Sequence, residues 1–254
     1  MNRNNLDIVT GVIQKSMAQL VHVENHKIKP LGSAIFVKLG NQLRLLSAGH
    51  LINEKDYDKI LLPLPGIQES LYIDTFGDLH TTNTEGDQEN NAIDFAEIKF
   101  IRMDKIERVC NFYTPIPENK IEFNHEIIEN DDRYFIFGYP NSKTRFDFKY
   151  KKEMNSAPLR IVTHPIFDDI IYEKYGYSKK THILLKYKRK LFDGLFRFFL
   201  PKTKGISGSG VYFLPDIKSQ SKSQEFTLIG ILTEIDYEKQ FAVVVRMETI
   251  YNIQ

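Results

Sequence analysis

Short runs of β-branched and aromatic residues, separated by polar turn residues, fill most of this chain. That pattern is what strands with one packed face produce. In the first half the runs fall at 18–24, 33–39, 42–47, 59–64, 70–74 and 95–100; in the second half at 134–138, 159–164, 182–187, 210–214, 227–233 and 241–247. Gly40-Asn41 between two runs is a hairpin signal. Helical spacing is scarce: Ile8, Val12, Ile13 and Met17 predict a short amphipathic helix within 4–19. Residues 101–131 contain Pro115, Pro117 and several charges and read as a linker, and the polar stretch 218–224 reads as a solvated hairpin loop. The predicted fold class is all-β, with an N-terminal unit (1–100), a linker (101–131) and a C-terminal unit (132–254).

Composition narrows the function classes. A formal net charge of +1 over 254 residues gives no reason to expect nucleic acid or an anionic membrane as a partner. Two runs, Phe148-Lys149-Tyr150-Lys151-Lys152 and Lys186-Tyr187-Lys188-Arg189-Lys190, interleave basic and aromatic residues. Grooves for single-stranded nucleic acid do this, but so does an exposed strand with one packed face, which is the stronger reading. No apolar run reaches the length of a membrane-spanning helix. The opening Met1-Asn2-Arg3-Asn4-Asn5-Leu6 lacks the long apolar stretch of a secretory signal. Cys110 is the single cysteine, so no internal disulfide can form, and the expected compartment is the cytoplasm. Cys110 itself is expected to be a small buried apolar residue. The seven histidines show no zincin-type spacing and there is no cysteine pair, so no metal or cofactor is expected.

The most chemically informative stretch is Gly205-Ile206-Ser207-Gly208-Ser209-Gly210, just ahead of the strand-like Val211-Tyr212-Phe213-Leu214. Glycines beside a serine permit a tight turn in which N–H groups converge next to the hydroxyl. Two N–H groups aimed at one point form an oxyanion hole. Upstream, the apolar Leu45-Leu46 ends in Ser47-Ala48-Gly49-His50, and Asp94 opens the alternating run Phe95-Ala96-Glu97-Ile98. Each piece alone has an ordinary explanation: a packing histidine, an aspartate capping a turn, a loop serine. Their order, His50, Asp94, Ser207, is the one used by chymotrypsin-type enzymes, and differs from that of subtilisins and α/β-hydrolases.

On these residues the chain resembles a trypsin-like (chymotrypsin-fold) serine peptidase of the intracellular bacterial kind. The family's T-A-A-H motif corresponds to Ser47-Ala48-Gly49-His50, its D-I-A-L to Asp94-Phe95-Ala96-Glu97, and its G-x-S-G to Gly205-Ile206-Ser207-Gly208. Phe137-Gly138-Tyr139-Pro140 resembles the opening of the second barrel, and Ile229-Gly230-Ile231-Leu232-Thr233 the strand lining the substrate cleft. Glu97 departs from the pattern, standing where the family has an apolar residue. The resemblance implies two six-stranded antiparallel Greek-key barrels with the active site in the cleft between them, and a helix within 246–254. It implies His50, Asp94 and Ser207 as catalytic residues, with the backbone N–H groups of Gly205 and Ser207 as the oxyanion hole. His50 would take the hydroxyl proton, and Asp94 would hold the imidazole in its tautomer.

The implied activity is a serine endopeptidase cutting a protein or peptide substrate through an acyl-enzyme, in a stress or defence effector. Two other readings stay open: a catalytically silent peptidase-like binding module, and an esterase-like hydrolase with the same three residues. Specificity is barely legible. Pro201 stands where trypsins carry the acid of the primary pocket, Thr233 takes the cleft-wall position, and Lys202 and Lys204 flank the pocket region. Ile8-Val9-Thr10-Gly11 resembles the new N-terminus of an activated zymogen, but the residue before Ser207 is Ile206, which cannot pair with a freed ammonium. Activity without N-terminal cleavage is expected, with control from elsewhere, such as an activating partner protein. The long, aromatic-rich segment 144–204 suits a lid or partner-docking insertion and core packing equally.

Overall fold

The computed structural model describes residues 3–24, 27–52, 57–65, 69–82, 93–129, 133–147, 153–187, 190–193, 196–199, 203–215 and 225–252. A first helix, α1 (Arg3–Gln14), leads into β1 (Met17–Glu24), β2 (Lys27–Leu39), β3 (Gln42–Ser47), β4 (Ile60–Pro63), β5 (Ser70–Tyr72), β6 (Gly77–Thr81) and β7 (Ala96–Phe100). These strands form one curled antiparallel sheet in the order β5-β4-β1-β2-β3-β7-β6. Helix α2 (Met103–Cys110) follows, and the short β8 (Ile116–Pro117) pairs parallel with β2.

Beyond it come β9 (Tyr134–Gly138), the hairpin strands β10 (Thr144–Asp147) and β11 (Glu153–Ser156), and β12 (Leu159–Thr163). Helix α3 (Asp169–Lys174), β13 (His182–Lys186) and a second hairpin, β14 (Lys190–Asp193) with β15 (Phe196–Phe199), are next. The chain ends with β16 (Ser209–Phe213), β17 (Thr227–Asp236), β18 (Phe241–Arg246) and α4 (Met247–Asn252). Six of these strands make the second curled sheet, in the order β12-β9-β16-β17-β18-β13. The all-β architecture of two antiparallel half-barrels with few short helices is thus present.

The strands nearest the middle are apolar on both faces because they serve two cores at once. In β2, Ala34 and Phe36 point into the first half-barrel, while Ile35 and Val37 point into a layer shared by both sheets. In β9, Tyr134 and Ile136 fill the second half-barrel, while Phe135 and Phe137 enter the shared layer. Tyr212 of β16, Val9 and Ile13 of α1, and Met247 and Ile250 of α4 complete that layer. Within the first core, Phe76 stacks on Phe100 at 4.6 Å, and Phe100 tilts against Phe36 at 6.1 Å.

Several elements differ from the sequence reading. The first sheet has a seventh antiparallel strand, β6, in the half-buried stretch Gly77–Thr81. That stretch carries no apolar alternation; its pairing with β7 makes it a strand. Helix α1 stops at Gln14, and Met17 opens β1 opposite Ile35 instead of continuing the helix. Residues 103–110, read as linker, form α2, which fully buries Val109. Cys110, at the end of α2, is exposed, correcting its reading as a buried apolar residue. The runs 148–152 and 188–189 and the loop 218–224 lie outside the described residues. No helix of the described residues is long and apolar enough to cross a membrane.

Candidate active site

The chain leaves β3 through the buried Ala48 and makes one 3-10 turn over Gly49–Leu51, which presents His50 at the rim of the first half-barrel. Asp94 precedes β7, the neighbour of β3, and its segment is held by the residue that follows it. Phe95 is fully buried in the shared layer, and its backbone N–H donates to the Thr82 hydroxyl at 3.0 Å. Neighbouring strands therefore deliver the two side chains to one point. The Asp94 carboxylate engages His50 twice: Oδ1 accepts from the backbone N–H at 2.8 Å, and Oδ2 lies 2.6 Å from Nδ1. A carboxylate only accepts, so Nδ1 carries the proton and Nε2 is left with its lone pair. The imidazole is thereby fixed in one tautomer, with Nε2 the nitrogen not engaged by Asp94. The pair is partly open to solvent, with 44% of the His50 side chain and 26% of that of Asp94 exposed.

Ser207 sits half-buried in the turn before β16. The residues around it pin that turn to three places. Ile206 is buried in the second core, the Gly208 N–H donates to Leu232 O on β17 at 2.8 Å, and the Ser207 carbonyl accepts from the Ser33 N–H on β2 at 2.9 Å. Gly208 has φ of 81°, and a Cβ there would lie 1.9 Å from the Ser33 carbonyl oxygen and 2.4 Å from Ser47 Oγ. Only glycine can occupy a left-handed position pressed that closely on another backbone. Ser47, three residues before His50, donates its hydroxyl to the Ser33 carbonyl at 2.8 Å. Ser33 thus joins the serine turn to the strand that ends in the histidine. Among the described residues the Ser207 hydroxyl has no hydrogen-bond partner, so its bond to His50 is not formed in this state; such contacts commonly tighten only around a substrate.

The N–H groups of this turn divide into two sets. Those of Ile206, Gly208 and Ser209 donate to Thr203 O, Leu232 O and Ile206 O at 2.9, 2.8 and 3.1 Å. Those of Gly205 and Ser207, the two that the resemblance implies, donate to no described residue. Two N–H groups of one turn that have no acceptor among the described residues are available to an external oxygen.

The remaining sequence assignments fare differently. Thr233 is buried, donates to Val243 O at 3.3 Å, and stands where the β17–β18 ladder slips between Leu232 and Glu234. Such bulges re-aim neighbouring side chains. Pro201 and Lys202 lie outside the described residues, and Lys204 is exposed. Ile8 lies within α1, and Ile206 is enclosed by apolar side chains. Three residues went unnoticed in the sequence: Ser33, Asn141 and Tyr237. The Tyr237 hydroxyl bonds the backbone N–H of Thr203 at 2.9 Å and its hydroxyl, fastening the start of the serine turn. None of the three sits in a motif; a polar residue amid an apolar strand run was the only available signal, at Ser33.

No family model matches the chain, and no curated protein matches it. Among solved structures the chain is similar to the crystal structure of scabies mite inactivated protease paralogue S-I1. The two are 14% identical, the match covers 95% of this chain and 93% of that chain, and the TM-score is 0.54. At that identity the likeness speaks to fold alone: a protease-like pair of curled antiparallel half-barrels, spanning nearly the whole chain.

Proposed function

We propose that this chain is a trypsin-like serine endopeptidase that hydrolyses peptide bonds of a protein substrate, with Ser207 as nucleophile, His50 as general base and Asp94 as the group orienting it. The observation that carries the reading is the two-point bond from Asp94 to His50, which leaves Nε2 as the free base. In the first step Ser207 Oγ attacks the scissile carbonyl carbon while Nε2 takes the hydroxyl proton. The carbonyl oxygen becomes an oxyanion received by the Gly205 and Ser207 N–H groups. Collapse breaks the C–N bond, and the leaving amine takes the proton from His50. Water then attacks the ester carbonyl, giving one proton to Nε2; collapse breaks the bond to Ser207 Oγ, which takes that proton back from Nε2, releasing the carboxylic acid and the free enzyme. With a single cysteine the fold needs no disulfide, which supports a role in the cytoplasm.

A second reading has one observation in its favour. The Ser207 hydroxyl is not bonded to His50, as in a peptidase-like module that binds a partner without cutting it. A fluorophosphonate probe separates the two. Covalent labelling of the wild type, abolished in Ser207→Ala and His50→Ala, supports the hydrolase; a folded wild type that stays unlabelled, alone and with candidate partners, supports the module. A peptide library then gives the cleavage preference.

A further inference from the structure

The peptide between Lys204 and Gly205 can face two ways. With its carbonyl turned from Ser207, the Gly205 N–H is available to an incoming oxygen. Turned over, the carbonyl oxygen would occupy that position. In this structure the Lys204 carbonyl accepts from the backbone N–H of Asn141 at 2.7 Å. The described residues contain no cis peptide, so C=O and N–H of this unit point in opposite directions. The Asn141 bond therefore holds the Gly205 N–H pointing away from Asn141, where no described residue accepts it.

Asn141 is itself held by the other half of the molecule. Its Nδ2 donates to the Pro30 carbonyl on β2 at 3.0 Å. Because that carbonyl only accepts, the amide end of the side chain is fixed. Oδ1 is then buried without a hydrogen bond and rests against Gly205, where a Cβ would come within 1.8 Å of it. With φ of 87° as well, position 205 admits only glycine.

We propose that Asn141 is a positioning residue. Its backbone N–H sets the direction of the Lys204–Gly205 peptide, and its side chain ties that donor to the first half-barrel. The inference rests on the hydrolase reading for its catalytic consequence, but the peptide's direction can be observed without it.

Asn141→Pro removes the N–H from a position that otherwise accepts proline. Pro140 already has the extended backbone (φ −72°, ψ 140°) that precedes a proline, and Asn141 opens a 3-10 turn. Asn141→Ala keeps the N–H and removes only the side chain. The expected result is fluorophosphonate labelling about a hundredfold slower in N141P, the loss typical of one oxyanion donor. In N141A the slowing stays under about tenfold. On a peptide substrate, N141P should lower kcat with KM little changed, a split that loss of general packing does not produce. Crystal structures of both variants should show the peptide turned over in N141P alone.

Labelling of N141P within tenfold of N141A, or an unturned peptide in N141P, overturns the proposal. Should N141P fail to fold, lactic acid placed at position 141 through an ester bond removes the same N–H from the N141A background, and the same criteria apply. A wild type that never labels sinks the hydrolase reading instead, leaving the role of Asn141 to be decided by the peptide's direction in the crystals.

Discussion

The backbone N–H of Ser33 donates to the carbonyl oxygen of Ser207 at 2.9 Å, a bond from the middle of one sheet to the turn that opens a strand of the other. All of Ser33's other polar atoms are also used. Its carbonyl accepts from Ser47 Oγ at 2.8 Å, and its hydroxyl accepts from the Tyr139 N–H at 2.9 Å. Ser33→Ala leaves the Tyr139 N–H buried without an acceptor. The expected loss is about 1–3 kcal/mol, the cost of stranding one such group. Urea unfolding of the two proteins checks it; equal midpoints and slopes would show that water replaces the hydroxyl.

Asp94→Asn puts an N–H donor where Nδ1 now finds a pure acceptor. The imidazole is then driven to the other tautomer, with its proton on Nε2 and no lone pair there to take the serine proton. If the proposed chemistry holds, hydrolysis falls by on the order of ten-thousandfold while the fold persists. The comparison is kcat/KM of wild type and variant on one peptide substrate, with thermal unfolding as the control. A loss under tenfold would remove the orienting role from Asp94.

Glu97, the departure from the family pattern, forms a buried ion pair. Its side chain is fully buried, and Oε1 lies 2.6 Å from Arg44 across the β3–β7 ladder, with Lys99 Nζ at 3.9 Å from Oε2. These are the strands that lead to His50 and into which Asp94 runs. Glu97→Ala removes the carboxylate from this buried pair and should destabilise by up to about 3–5 kcal/mol. Replacing both residues together, as Arg44→Met with Glu97→Leu, should recover much of that loss. A single variant as stable as the wild type would contradict it.

Stability should also fall in mild acid through His182. Burial pushes its pKa down from 6.5 to about 4. Between those values the unfolded chain binds the proton and the folded one does not, so unfolding is favoured as the pH drops. The contribution is fully present above about 6.5 and lost as the pH approaches 4. Its size is at most on the order of 3 kcal/mol, at about 1.4 kcal/mol per unit. Thermal midpoints measured across that window should decline less steeply in His182→Gln than in the wild type. Parallel curves would assign the acid sensitivity to other groups.

How far the sequence reveals this molecule depends on whether a residue's role is local. Gly205 and Gly208 are legible because a left-handed φ has one cheap solution, and the apolar runs of β2, β3, β9, β16, β17 and β18 are legible because burial leaves no other composition. His50, Asp94 and Ser207 stand out by their order and local setting. Ser33 and Asn141 are invisible for the opposite reason: their partners lie 106 and 111 positions away, and only the folded chain brings them together. Strand β6 is hidden because ladder pairing, not apolar content, defines it. Helix α2 is hidden because a charged, largely exposed segment looks like a linker until Val109 is seen to be its single fully buried anchor.

The apolar layer between the sheets draws on both ends of the chain as well as on its middle. Val9 and Ile13 come from the first helix, Met247 and Ile250 from the last, and Ile35, Phe137 and Tyr212 from strands of each half. Neither half-barrel can therefore lose its partner and stay shielded from water. Separately expressed halves would each show the solvent a wall of exposed side chains and aggregate or remain unfolded. The intact protein should melt in one step, and a serine turn pinned to strands of both sheets then has no partly assembled form to linger in.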